Sequence, residues 1–216
     1  MSAPARAFTV RHLQLLRALF AAAAAVMITF SPDHSAAVGL SVFSGFVLTT
    51  ALVMIVAAWL VFPAGQRWPS VVLAILGFAA GMVAGVPAWR TDDVFFVVVI
   101  AWAVATGILE LVVGLRGRRK GDPTARDSIT LGAFGLLLAV LLLAIPAGFV
   151  QPYAIKGAGE FELTGIILGV GMFGGYAAIV AVFLGIAGLT PKRADAVADS
   201  AATENDPAPA GHGGDR

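Results

Sequence analysis

The chain has 216 residues, 59% hydrophobic and only 12% charged, with a mean hydropathy of +0.90 and a formal net charge of +1. Soluble domains carry about 25% charged residues, so a soluble fold of this size is excluded: too few charges are present to coat its surface. The absence of cysteine excludes disulfides, thiol chemistry, cysteine-ligated metals and lipid attachment at a Cys.

A bilayer core needs about 20 predominantly apolar residues per helix. Such runs occupy roughly 13–31, 37–62, 70–88, 94–115, 128–150 and 163–189. They predict an all-α fold, a six-transmembrane-helix bundle that forms one membrane domain over residues 1–190. The first run carries Arg17 near its start and the small-residue stretch Ala21 to Ala25. It is longer than the apolar region of a secretory signal, about 7–15 residues, and reads as a retained anchor. Ser31-Pro32-Asp33-His34-Ser35 leads into the second span. The third lies between Trp68 and Trp89, placed as interfacial tryptophans should be, and carries Gly77, Gly81 and Gly85 on one face.

The fourth span carries the most informative residue, Glu110. Trp102, Thr106 and Glu110 recur at helical spacing and share a face, with Gly107 and Gly114 beside it. The basic run Arg116-Gly117-Arg118-Arg119-Lys120 follows at once. The fifth span ends near Pro146, and Gln151 to Glu162 form a short polar connection. The sixth is glycine-rich, with Gly165 and Gly169, then Gly171 and Gly175, then Ala177, Ala181 and Gly185. Residues 191–216 are rich in Ala, Asp, Gly and Pro with almost no large apolar side chain. Such a segment cannot bury enough surface to offset its ordering entropy, so a disordered cytoplasmic tail is expected.

All but two of the 14 Lys and Arg, Arg90 and Lys156, fall on one side of the predicted spans. The positive-inside rule places both termini in the cytoplasm. The even number of spans independently agrees. Arg116, Arg118, Arg119 and Lys120 would set this topology and touch anionic lipid headgroups. Nucleic acid is not an expected partner for so short a cluster beside a membrane; the lipid bilayer is. Pro32, Pro87 and Pro146 recur at the outer ends of the odd-numbered spans, which suggests three repeated helical hairpins. Lipid tails are as apolar as Leu, so helices associate by close packing of small residues. The glycine steps predict such packing within the monomer, and the same spacing permits a homo-oligomer.

A carboxylate in hydrocarbon costs about 2.5–3.5 kcal/mol even on a lenient insertion scale. Glu110 therefore needs a partner or a purpose. Three arrangements are open: an ion pair with Arg17, the one basic residue inside an apolar run; a protonated carboxyl that donates to a carbonyl; or a proton relay. A relay needs several ionisable groups in series, and only one is present here. Glu110, Thr106, Trp102 and Arg17 together form the expected intramembrane polar cluster. On the outer side Asp33, His34, Asp92, Asp93, Glu160 and Glu162 face Arg90 and Lys156, a mildly acidic rim without metal-ligand spacing. No Walker A loop, Gly-x-Ser-x-Gly elbow, His-Glu-x-x-His or adenylate-forming phosphate loop occurs. No catalytic residue, cofactor or metal is expected.

The segment from Ala101 through Trp102, Thr106, Gly107 and Glu110 to Arg116 resembles the fourth helix of the HdeD-like family of small bacterial membrane proteins. There a Trp, a Gly-Ile/Val-x-Glu and an Arg-rich end recur. Six spans, hairpin repeats and prolines at helix ends are also similar, over roughly residues 10–190. The stretch Phe161 to Leu189 looks like an actinobacterial branch. The resemblance implies a non-enzymatic plasma-membrane protein associated with acid or envelope stress. Some look-alikes are named acyl-CoA synthetase, an activity no residue here supports. Two other classes stay open at this point: a proton or small-solute transporter or channel, and a scaffold that acts through a protein partner. The residues indicate no small-molecule substrate.

Overall fold

The computed structural model describes residues 8–146, 148–155 and 159–190. Six helices follow in order: α1 Val10–Phe30, α2 Ala36–Leu60, α3 Trp68–Gly85, α4 Asp92–Arg119, α5 Ala125–Leu143 and α6 Gly165–Leu189. All six are long and apolar enough to cross a membrane. The fold is an all-α six-helix bundle, as the sequence predicts, and the chain is a multi-pass membrane protein. The expected disordered tail, residues 191–216, lies outside the described residues, as does Lys156.

Helix ends follow from local chemistry. Ser35 caps α2 by accepting from the Val38 N–H at 3.4 Å, and Thr91 caps α4 by accepting from the Val94 N–H at 3.4 Å. Pro69 sits in the first turn of α3, where its missing N–H costs nothing. Asp92 and Asp93 lie in the first turn of α4 and Arg116, Arg118 and Arg119 in its last, so both ends complement the helix dipole. This corrects one boundary: the basic run continues the helix one turn past Leu115 rather than beginning a loop. Pro32, Pro87 and Pro146 each stand just beyond the C-terminus of an odd-numbered helix, where a proline cannot continue the helical ladder.

The connection after α5 departs from expectation. The fifth span was expected to reach residue 150, but α5 stops at Leu143 because Pro146 lacks the N–H to extend it. The chain then forms two antiparallel strands, β1 Val150–Ile155 and β2 Gly159–Thr164. Their register pairs Val150 with Thr164 and Tyr153 with Phe161, whose rings stack at 5.7 Å. The alternation Glu160, Phe161, Glu162, Leu163 is the period-two signal of a strand, but over so few residues it passes for a polar loop. The Gly165 N–H donates to the Phe149 carbonyl at 2.9 Å and ties the strand pair to the start of α6.

Each helix packs against its sequence neighbours, and α6 returns to α1, so the six close into a ring. The most extensive contacts join α2 to α3, α4 to α5 and α6 to α1. These pairs lie across the hairpins proposed from the prolines rather than within them. Glycine explains the tightness. A Cβ on Gly132 of α5 would stand 2.7 Å from the Gly107 carbonyl oxygen of α4, and one on Gly114 would stand 2.8 Å from the Ala125 carbonyl oxygen. Only bare backbone lets these axes approach so closely. Gly77 and Gly81 likewise seat against Val47, Leu48 and Ala51 of α2, and Gly85 against Ser44. The Ser44 hydroxyl donates to the Gly81 carbonyl at 2.8 Å across the same crossing.

The even-numbered helices meet at the centre. Phe43 and Phe46 of α2, Trp102 of α4, and Phe173 and Tyr176 of α6 form a continuous edge-to-face cluster with ring centroids 5.3–6.1 Å apart. Leu19, Phe30, Trp59, Val97, Val140, Leu143, Val182 and Ile186 point outward, as the lipid-facing surface of a bundle requires.

Candidate polar site at the terminal end of the bundle

Because the helices alternate in direction, the start of α1, the end of α6 and the α2–α3 and α4–α5 connections share one end of the bundle. This is called the terminal end; β1 and β2 lie at the other. Polar side chains enter the bundle from the terminal end.

Arg17 of α1 and Glu110 of α4 form an ion pair, with Nη2 donating to Oε1 at 3.0 Å. The side chains are 17% and 10% exposed. Helices α1 and α4 are not ring neighbours, so the pair braces the bundle across its interior. Of the three arrangements left open by the sequence, the ion pair is the one present. Desolvating two charges is costly, and mutual attraction at close range offsets that cost only while both partners remain.

The other two members of the expected cluster serve different purposes. The Thr106 hydroxyl donates back to the Trp102 carbonyl at 2.7 Å. That bond satisfies it within its own helix and leaves Glu110 to Arg17. Trp102 belongs to the aromatic cluster, with Phe43 5.3 Å away and Tyr176 6.1 Å away. All four residues nevertheless line one small inner cavity of about 40 Å³, together with Thr50 and Tyr176.

On the terminal side of the pair a larger vestibule of about 650 Å³ opens. Gln14, Arg17, Gln66, Glu110, Arg116, Lys120, Asp122 and Asp127 contribute its charged and amide groups, and Leu13, Met54, Phe62 and Leu73 part of its apolar wall. Arg17 and Glu110 line both spaces, so the ion pair stands between them. A second cross-brace lies one turn nearer the mouth. The Gln14 amide nitrogen donates to Asp127 Oδ2 at 2.7 Å, which links α1 to the first turn of α5.

The basic run divides by helical spacing. Arg116 and Lys120 line the vestibule, whereas Arg118 and Arg119 are exposed and do not. Of the glycines expected to pack helices, Gly77, Gly81, Gly85, Gly107, Gly114, Gly165 and Gly169 all meet a neighbouring segment. Gly171 and Gly175 require correction: both are exposed, and a Cβ on either would meet nothing within 4 Å. The face of α6 that crosses α1 carries Gly174, against Ile28, and Gly188, against Leu15. Gly171 and Gly175 have the packing interval but lie off that face.

Gln14, Thr50, Asp127 and Tyr176 line these spaces without having been singled out from the sequence. For Gln14 a signal existed, a polar residue one turn before Arg17 inside an apolar run. Asp127 stands just ahead of the fifth predicted span, where a charge is ordinary, and Tyr176 is one aromatic in an apolar stretch. Among the described residues no three His, Asp or Glu side chains converge on a metal-binding arrangement. Comparison with family models, curated proteins and solved structures finds no match to the chain.

Proposed function

We propose that the chain is a non-catalytic, HdeD-like protein of the bacterial plasma membrane, with both termini cytoplasmic, that serves acid or envelope stress as a braced bundle. The observation that carries this reading is the Arg17–Glu110 pair. The one acidic residue deep in an apolar span is engaged by an arginine of a distant helix, and the aromatic cluster of α2, α4 and α6 packs around Trp102, two turns beyond Glu110 on α4. A carboxylate so held braces helices instead of standing free to carry a proton. The stress role and the membrane assignment rest on the resemblance of Ala101 to Arg116 and on the charge asymmetry of the connections.

The test is flux. Purified protein in proteoliposomes is expected to pass neither protons nor small solutes above the rate of protein-free vesicles, in the wild type or in Glu110→Gln. Wild-type flux that disappears in Glu110→Gln would overturn this reading in favour of a transporter. That second reading draws on the vestibule, whose 650 Å³ open at one end and stop at an intramembrane ion pair, as in a solute site accessible from one side.

A further inference from the structure

We propose that the vestibule binds a small zwitterion, an ammonium and a carboxylate or phosphate held close together, with the anion on Arg17 and the ammonium on Gln14 beside Asp127. The inference goes beyond the function proposed above and does not rest on it, because equilibrium binding requires no passage across the membrane.

Two groups on α1 carry the argument. Gln14 is 5% exposed. Its amide nitrogen is committed to Asp127 Oδ2 at 2.7 Å, which fixes which end of the amide is which. Its carbonyl oxygen, Oε1, accepts no hydrogen bond among the described residues and has almost no exposed surface, so a donor from the vestibule reaches it only as the Gln14 side chain shifts toward the space it lines. Such an acceptor is expensive to leave without a donor. Donation to a carboxylate also polarises the amide and makes that oxygen the stronger acceptor. It therefore selects a donor, and the neighbouring Asp127 charge selects a cationic one.

Arg17 lies one turn further in on the same wall. Its guanidinium makes one hydrogen bond among the described residues, to Glu110, and so uses only part of its donor fork. The side chain keeps 17% of its surface open, and it lines the vestibule. A planar cationic fork with free N–H edges is suited to a carboxylate or a phosphate.

Charge balance favours the same class. Arg17, Arg116 and Lys120 are matched by Glu110, Asp122 and Asp127 on the lining. A ligand with net charge of either sign would leave that balance unmet, whereas a dipolar one satisfies both ends. The apolar walls leave room for a side chain. Two sources present this chemistry: a free amino acid from the aqueous side, and the headgroup of an ethanolamine phospholipid.

The experiment is equilibrium binding to purified full-length protein in a detergent without ethanolamine lipid. The probes are radiolabelled L-leucine, its N-trimethylated analogue, isocaproate, and short-chain phosphatidylethanolamine. Saturable binding is expected for leucine or for the phospholipid. The better of the two identifies the source, and competition between them shows a shared site. The trimethylated analogue has no N–H to donate, and isocaproate has no ammonium; both are expected to fail. Gln14→Leu keeps the shape but removes the acceptor, and should weaken binding about tenfold. Its melting temperature, measured alongside, shows that the variant is folded. Arg116→Gln, at the exposed mouth, is expected to weaken binding less than Gln14→Leu. Absence of saturable binding by both leucine and the phospholipid would overturn the proposal. So would equal affinity in a folded Gln14→Leu variant, or equal binding of the trimethylated analogue.

Discussion

At the scale of single residues, Arg17 and Glu110 behave as one unit. Either charge alone would be left in a poorly solvated interior, so Arg17→Leu or Glu110→Leu should each cost about 3 kcal/mol of stability. The double substitution, which removes the interaction and both desolvated charges together, should cost less than the two single losses added. Reversible unfolding in mixed micelles gives the four values of this double-mutant cycle. Simple additivity would mean that the 3.0 Å contact contributes no coupling. Thr106 stands apart from this unit, because its hydroxyl is already satisfied by the Trp102 carbonyl. Thr106→Val should change stability by well under half as much.

At the scale of elements, glycine decides where helices touch. The α4–α5 crossing is backbone on backbone: a Cβ at Gly132 would meet the Gly107 oxygen and the Leu111 nitrogen, both at 2.7 Å. Neither atom can rotate aside. Gly132→Ala should therefore force the helices apart and cost about 1–3 kcal/mol. Gly171→Ala faces open space and should stay within about 0.5 kcal/mol of wild type. Thermal unfolding of the two variants side by side tests the distinction. A Gly132→Ala melting temperature equal to that of Gly171→Ala would mean that the crossing has slack. The comparison also shows why interval alone misleads. Gly171 and Gly175 are spaced like Gly77 and Gly81, yet one pair looks outward and the other seats on α2.

At the scale of the whole molecule, closure of the ring by α6 on α1 brings both chain ends of the bundle to the terminal end, where the basic residues of α4 also lie. The charge asymmetry predicts that this end faces the cytoplasm. The cysteine-free chain makes a clean test possible. Single cysteines at exposed Asp33 and Arg118 sit at opposite ends. A membrane-impermeant maleimide added to intact cells should label Asp33→Cys and spare Arg118→Cys until the cells are permeabilised. The reverse pattern would invert the assigned orientation, and with it the side from which the vestibule is reached.

Span number, span order and the all-α class were determined by the sequence alone, because the bilayer requires every spanning backbone to satisfy itself within a helix of adequate length. The anomaly of Glu110, and Arg17 as the one cation inside an apolar run, were legible for the same reason: a charge in an apolar stretch is conspicuous whatever surrounds it. Helix ends were less legible. Pro146 stops α5 early, and Val150–Ile155 and Gly159–Thr164 form a strand pair, since a short alternating stretch reads equally as a loop. Only the tertiary structure decided which glycines face a neighbour, how Thr106 is satisfied, and that Gln14 and Asp127 meet across 113 positions of sequence. Spacing along a helix says which residues share a face. Which helix that face meets, and what space is left between them, depends on how six helices close into one ring.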